Sequence, residues 1–158
     1  MHNYKVKRTL MGQFPYGADL YESLTQFTQR ENIRLGRITG IGATTHAVIA
    51  YYDQNTKQYN PLEFAGGMEI LNLQGNISIR DEKPFVHVHI LLGDPQGKVF
   101  GGHLMAGTKL FACEVFIEEF WESSKGVPSD IPSGEGEELV RAYDERTGLH
   151  LWKAGYLT

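Results

Sequence analysis

Three histidines, His87, His89 and His103, lie within one short stretch, FVHVHILLGDPQGKVFGGHL (85–104). Neutral imidazole is a ligand for zinc and also for iron, copper or nickel, so three of them on one face would make a metal site. An HxH pair alone is a common strand pattern, and the chemistry therefore turns on where His103 points. Alternation along a strand sends His87 and His89 to one side with Phe85 and Leu91. Val86, Val88, Ile90 and Leu92 take the other side, as core. In the DPQG turn, Pro95 at the second position and Gly97 at the fourth are type I preferences. With Gly97 left-handed, the connection is a three-residue loop with a glycine bulge, Asp94 pairs with Lys98, and His89 falls opposite His103. A two-residue loop would set His103 opposite Val88, on the wrong face. The turn chemistry favours convergence. His87, His89 and His103 are thus the candidate ligands of one divalent transition metal, zinc first among them, near a subunit boundary. Gly101 and Gly102 leave room beside His103 for a backbone, a ligand or a second subunit. The competing reading makes the three imidazoles hydrogen-bonded residues lining an interface.

Other chemistry-bearing residues carry less. Glu69 in GGMEIL is a carboxylate among apolar residues, the candidate acid or base of a metal-dependent reaction. It would equally serve to orient an imidazole, complete a metal shell, or sit as a structural carboxylate. His46 in GATTHAVIAYY either joins the histidines or is a solitary structural residue. Cys113 alternates with Phe111, Val115 and Ile117 in LFACEVFIEEF, which reads as a buried, inert thiol. There is no GxSxG elbow, and GRITGIGATT lacks the Lys-Ser/Thr ending of a phosphate loop.

The elements that must position these residues are mostly strands. YKVKRTLMGQF (4–14) alternates as a first strand. Leu20, Leu24 and Phe27 share one helical face, predicting a helix over about 18–31 that starts on Asp19 or its neighbours and covers a sheet. From Ile33 onward β-branched residues dominate, with Gly36, Gly40 and Gly42 marking bends or bulges. DQNTK is a hairpin turn into QYNPLEFAG, and MEILNLQGNISIR reads as two short strands around Gly75 and Asn76. PFVHVHILLG, KVFGGHLM and TKLFACEVFIEEFW complete an α+β domain, a mainly antiparallel sheet of about seven or eight strands with one packed main helix. Strands as apolar on both faces as PFVHVHILLG call for a second layer, which one helix cannot supply. The domain is expected over 1–121. Residues 122–158 are expected to be a Gly/Pro/Ser-rich loop and a C-terminal extension docked on that domain or on a neighbouring subunit.

The chain of 158 residues has 41% hydrophobic and 22% charged residues, an ordinary globular composition. No apolar run approaches a membrane span, and the N-terminus lacks the apolar block of a signal peptide. With a single cysteine, a cytoplasmic location is expected. The net charge is −4 and the basic residues are scattered. A module that grips DNA unaided normally presents a basic face, so direct DNA binding is doubtful.

Taken together, GADLYESLTQFTQRENIRLGRITGIGA, GGMEILNLQGNIS, PFVHVHILLGD and VFGGHL, in this order from about Leu10 to Phe120, resemble the plants and prokaryotes conserved (PPC) domain. The resemblance implies an α+β sheet with a packed helix, assembled as a homotrimer. Plant relatives join this domain to AT-hooks and bind DNA, and in them the segment corresponding to 66–71 is linked to protein–protein contacts. Free-standing prokaryotic relatives are commonly described as candidate DNA-binding proteins. This chain contains no Arg-Gly-Arg-Pro hook. The expectation is a homotrimeric assembly or regulatory protein that meets other proteins through 66–71. The alternative is a metal-dependent enzyme or small-ligand-binding protein using the three-histidine site.

Overall fold

The computed structural model describes residues 4–122 and 139–153. The stretch expected to be a Gly/Pro/Ser-rich loop falls, over 123–138, outside the described residues. Among the described residues, eight strands and one helix run in the order β1 (Tyr4–Phe14), α1 (Leu20–Arg30), β2 (Gly36–Asp53), β3 (Gln58–Arg80), β4 (Lys83–Gly93), β5 (Val99–Leu104), β6 (Lys109–Glu122), β7 (Arg141–Asp144) and β8 (Leu149–Trp152). The first six strands form one antiparallel sheet in the order β1-β6-β2-β3-β4-β5. No helix among the described residues is long and apolar enough to cross a membrane.

The sheet closes on itself. Strand β2 pairs with β6 from Gly36 to His46, and the same edge then takes β5, with Ile49 opposite Leu104 and Ala50 opposite His103. Strands β2, β3, β4 and β5 therefore form a ring whose inward residues, among them Ile49, Leu73, Val88, Ile90 and Leu104, are fully buried. The glycine-rich stretch of β2 behaves as its composition suggests, a single long strand whose register slips at Gly40/Gly42 and again at Thr44/His46. Gly75 does not break β3 as the sequence reading had it. It pairs with Ile38 on one side and Val88 on the other. A Cβ there would stand 2.5 Å from the His87 carbonyl oxygen, so this glycine permits close strand approach rather than a turn.

Helix α1 supplies the lid on the core. Asp19 caps its start, its Oδ1 accepting from the Glu22 N–H at 3.1 Å, and Leu20 and Leu24 are fully buried in the core cluster. The other carboxylate oxygen of Asp19 accepts from the Gly107 N–H at 2.6 Å. One buried side chain thus ties the helix start to the β5–β6 corner. At that corner β2 changes partner, and the Thr108 hydroxyl stands in for a strand: it accepts from the Val48 N–H at 3.0 Å and donates to the Val48 carbonyl at 2.9 Å. Buried backbone groups need such partners, and a hydroxyl that both donates and accepts meets both.

Over 139–153 the chain forms the β7–β8 hairpin, whose start meets β3. The Ile79 N–H donates to Leu139 O at 2.9 Å, and Val140 bridges Ile79 in parallel. Cys113 is buried, and its thiol is pushed up to about 11 by burial and then by Glu114, which makes it inert as expected. Its neighbour Phe111 departs from the expected alternation. The β2–β6 register slips between Ala112 and Leu110, and Phe111 swings out to 60% exposure against Tyr16.

Candidate metal centre

The hairpin carrying the histidines has the geometry that its turn residues dictate. Gly97 adopts φ 80°, the Gly97 N–H donates to Asp94 O at 3.0 Å, and the Asp94 N–H donates to Lys98 O at 2.9 Å. The Asp94 carboxylate braces the loop by accepting from the Gln96 and Lys98 N–H groups at 2.9 and 2.8 Å. Gly93 then pairs with Val99, and His89 lies directly opposite His103.

All three imidazoles share one face. Each offers one ring nitrogen, and these nitrogens lie within 4.8 Å of one another. Ring centroids are 5.1–5.6 Å apart in every pairing. His87 and His103 are half-buried and His89 is exposed. Burial is the main reason that His87 and His103 are held down at about 4. Repulsion from His103, Arg141 and His89 adds to the effect at His87, and from His89 and Arg141 at His103. Both rings are therefore neutral at pH 7, the state in which imidazole ligates a metal. His103 Nδ1 is buried with no hydrogen-bond partner. A polar atom in that condition is costly unless something else uses it. The donor set fits a divalent transition metal on both counts, three imidazole nitrogens at one spot and a buried nitrogen left over.

Of the neighbours expected at Gly101 and Gly102, the structure supplies a backbone at Gly102 and a side chain of the same sheet at Gly101. A Cβ at Gly102 would lie 2.8 Å from Ala50 O, and one at Gly101 would lie 2.6 Å from Leu91 Cδ2. Backbone and side chain already fill the space beside them. The glycines let β5 close against β2 and pack under Leu91, and so hold His103 in place.

Glu69 does not join the imidazoles. It pairs with Gly93, four positions along β4 from His89, and lines a separate recess with Thr44, Pro95 and Phe111. That displacement is about 13 Å at strand rise, beyond a carboxylate's reach. His46 is also elsewhere, with its Nε2 2.9 Å from Glu63.

Sequence reasoning missed two residues that build the site. Tyr59, on β3, lays its ring against His103 with centroids 4.9 Å apart, and burial raises its hydroxyl above the ordinary tyrosine range. Arg141, on β7, donates from Nε to Ser78 Oγ at 2.7 Å, from Nη1 to His150 O at 2.8 Å and from Nη2 to Asn76 Oδ1 at 2.8 Å. Its Nη2 is also 3.4 Å from His87 Nδ1. The local signal for Arg141 was an arginine inside the alternating run LVRAYD. Nothing in the run says which strand it meets. Together these groups wall a cleft of about 1080 Å³ with the three histidines on its floor.

A family model for the Plants and Prokaryotes Conserved domain matches residues 1–121. Among solved structures, a metal-containing protein from Archaeoglobus fulgidus is 39% identical with a TM-score of 0.83, over 98% of this chain and 99% of that one. A plant- and prokaryote-conserved protein from Pyrococcus horikoshii is 32% identical with a TM-score of 0.84, over 98% and 97% of the two chains. A candidate DNA-binding protein from Bacteroides thetaiotaomicron is 27% identical with a TM-score of 0.78, over 97% of each. Among curated proteins, the chain is 30% identical over 133 residues to the bifunctional protein GlmU of a Synechococcus species. That match takes in 83% of this chain and spans about a fifth (20%) of the curated protein's length. The sheet, the helix and the match over 1–121 together make this chain a member of the Plants and Prokaryotes Conserved domain family.

Proposed function

We propose that this protein binds one divalent transition metal, zinc first among the candidates, on His87, His89 and His103, and uses it on a small molecule held in the surrounding cleft. The observation that carries the reading is the meeting of three imidazole nitrogens within 4.8 Å, with His103 Nδ1 buried and unpartnered. The metal-containing relative from Archaeoglobus supports it. Three protein ligands leave a position open, as catalytic zinc sites do, and the chemistry such an ion supplies is Lewis acidity. The chain's own residues do the remaining work: Tyr59 braces His103 and Arg141 faces His87. The cleft is lined by no Asp or Glu among the described residues, so the reading gives Glu69 no part as acid or base. The test is elemental analysis of tag-free protein after dialysis against a weak chelator. Near-stoichiometric metal in the wild type, lost on replacing any one of the three histidines, is expected. Background metal in a folded wild type would end the proposal.

A second reading, favoured by exposed apolar side chains, is assembly. Leu71 is 50% exposed, Leu91 43% and Val99 55%, all on strands neighbouring the site. Large apolar groups collected on one face mark an interaction surface. A homotrimer, with the 66–71 segment open to other proteins, would cover them. Light scattering tests it, and a monomer stable at micromolar concentration would rule it out. The two readings are compatible, since a metal cleft near a trimer boundary serves both.

A further inference from the structure

We propose that the cleft receives a small organic oxyanion, gripped by Arg141 of the C-terminal hairpin with Arg80 beside it, its far end facing the three histidines. The inference rests on the cleft being the functional site and deepens that reading by naming the ligand's chemical class. It begins from a charge imbalance. Arg141 has four polar neighbours, a serine hydroxyl, an asparagine oxygen, a backbone carbonyl and an imidazole nitrogen, and none of them is charged. No carboxylate pairs with it among the described residues. Arg80 lies close by: the guanidinium carbons of Arg80 and Arg141 stand 5.0 and 5.3 Å from the centroid of the same Phe85 ring. The ion pair of Arg80 with Asp81 is long, 3.5 Å, and Asp81 is almost fully exposed. Arg80 repels Arg141 strongly enough to help burial lower its affinity for protons.

Two guanidiniums and three imidazoles therefore line a cleft that has no Asp or Glu among its described walls. A divalent ion on the imidazoles would add two more positive charges to the same cleft, whose His87 Arg141 already faces. Low-dielectric walls focus such a field, and the complement that neutralises it is an anion. Arg141 is suited to the task because its hydrogen bonds to Ser78, Asn76 and His150 fix the charged guanidinium in place before any ligand arrives and leave an Nη1 hydrogen over. Phe85 and Tyr59 add flat apolar surface for the body of the ligand.

The placement also gives the C-terminal hairpin a purpose. Arg141, His150 and Leu151 line the cleft, yet all lie beyond residue 121, where the family match ends. The hairpin supplies the anion-binding wall of a site whose floor belongs to the family domain.

The test is calorimetry on the full chain, zinc-loaded and metal-free, with benzoate, phenyl phosphate and the neutral isostere benzamide as probes. Metal content is measured in every sample. Benzoate or phenyl phosphate should bind at least tenfold more tightly than benzamide, and their order separates a carboxylate from a phosphate ligand. Arg141→Gln should weaken the anion about tenfold or more with zinc retained, the scale of one charge-assisted hydrogen bond. Arg80→Gln, which leaves the hairpin anchor intact, should weaken it by a smaller factor and serves if Arg141→Gln unfolds. Equal affinity for benzamide and benzoate, or no binding by any probe in zinc-loaded wild type, would overturn the anion inference while leaving the metal reading standing. Anion binding in a wild type that retains no zinc would do the reverse.

Discussion

The metal-free protein should lose stability as pH falls from 6.5 to 4, because the folded chain refuses protons that the unfolded chain accepts. His87 and His103 titrate at about 4 in the fold, against 6.5 when free, chiefly through burial. Above pH 6.5 both states hold neutral rings and no difference arises. Between 6.5 and 4 the unfolded chain binds more protons, so unfolding becomes easier with each step down. Below about 4 the folded rings charge as well and the slope vanishes. At ~1.36 kcal/mol per pH unit each ring could contribute at most ~3.4 kcal/mol. Both rings are partly exposed, so solvent screens some of that, and their mutual repulsion must not be counted twice. About 3 kcal/mol for the pair remains, equivalent to ~1–2 M in the urea midpoint. The assay is urea unfolding followed by tryptophan fluorescence on chelator-treated protein, at fixed concentration, from pH 7 to 4. A His87→Gln/His103→Gln variant should be nearly flat over the same window. An equal slope in that variant would refute the reasoning and assign the acid sensitivity to other groups.

His89→Ala should abolish metal retention in elemental analysis while moving the urea midpoint little, since His89 is exposed and its neighbours Val88 and Ile90 hold the core. Asp19→Ala removes both the helix cap and the acceptor for the Gly107 N–H, and should cost about 2–3 kcal/mol in thermal or urea unfolding. Asp19→Asn, which keeps one acceptor and turns an NH2 donor toward the other N–H, should recover only part of that loss. The isolated protein should not shift duplex DNA at submicromolar concentration in physiological salt, given a net charge of −4. A shift that weakens steeply with added salt would count against this.

What the sequence made legible was local. The DPQG turn determines the register of β4 and β5 through Pro95, Gly97 and the braced Asp94, so the opposition of His89 and His103 followed from four residues. The helix followed from Leu20, Leu24 and their cap, and the bulges of β2 from its glycines. Where a glycine meets a neighbouring strand, its meaning was hidden. Gly75 looks like a break until β2 and β4 are seen on either side of it, and of the neighbours that Gly102 could admit only the fold singles out the Ala50 backbone. Arg141 escaped for the same reason, since its three firm partners lie on β3 and β8. Contacts of that kind depend on closure of the chain over long separations, which composition and period do not encode.

The closure also explains why so short a strand can hold a ligand. Strand β5 has six residues, and a lone edge strand of that length would fray. At His103 it is paired on both sides, to His89 through the turn and to Ala50 through the ring. The second pairing depends on the corner at 105–108, where Thr108 completes the hydrogen bonding of Val48 and Asp19 holds the Gly107 N–H. A carboxylate at the start of α1 therefore bears on a histidine that it does not touch. If the corner loosens, His103 loses its β2 edge first, and only the hairpin pairing with His89 is left to hold it in the three-nitrogen cluster.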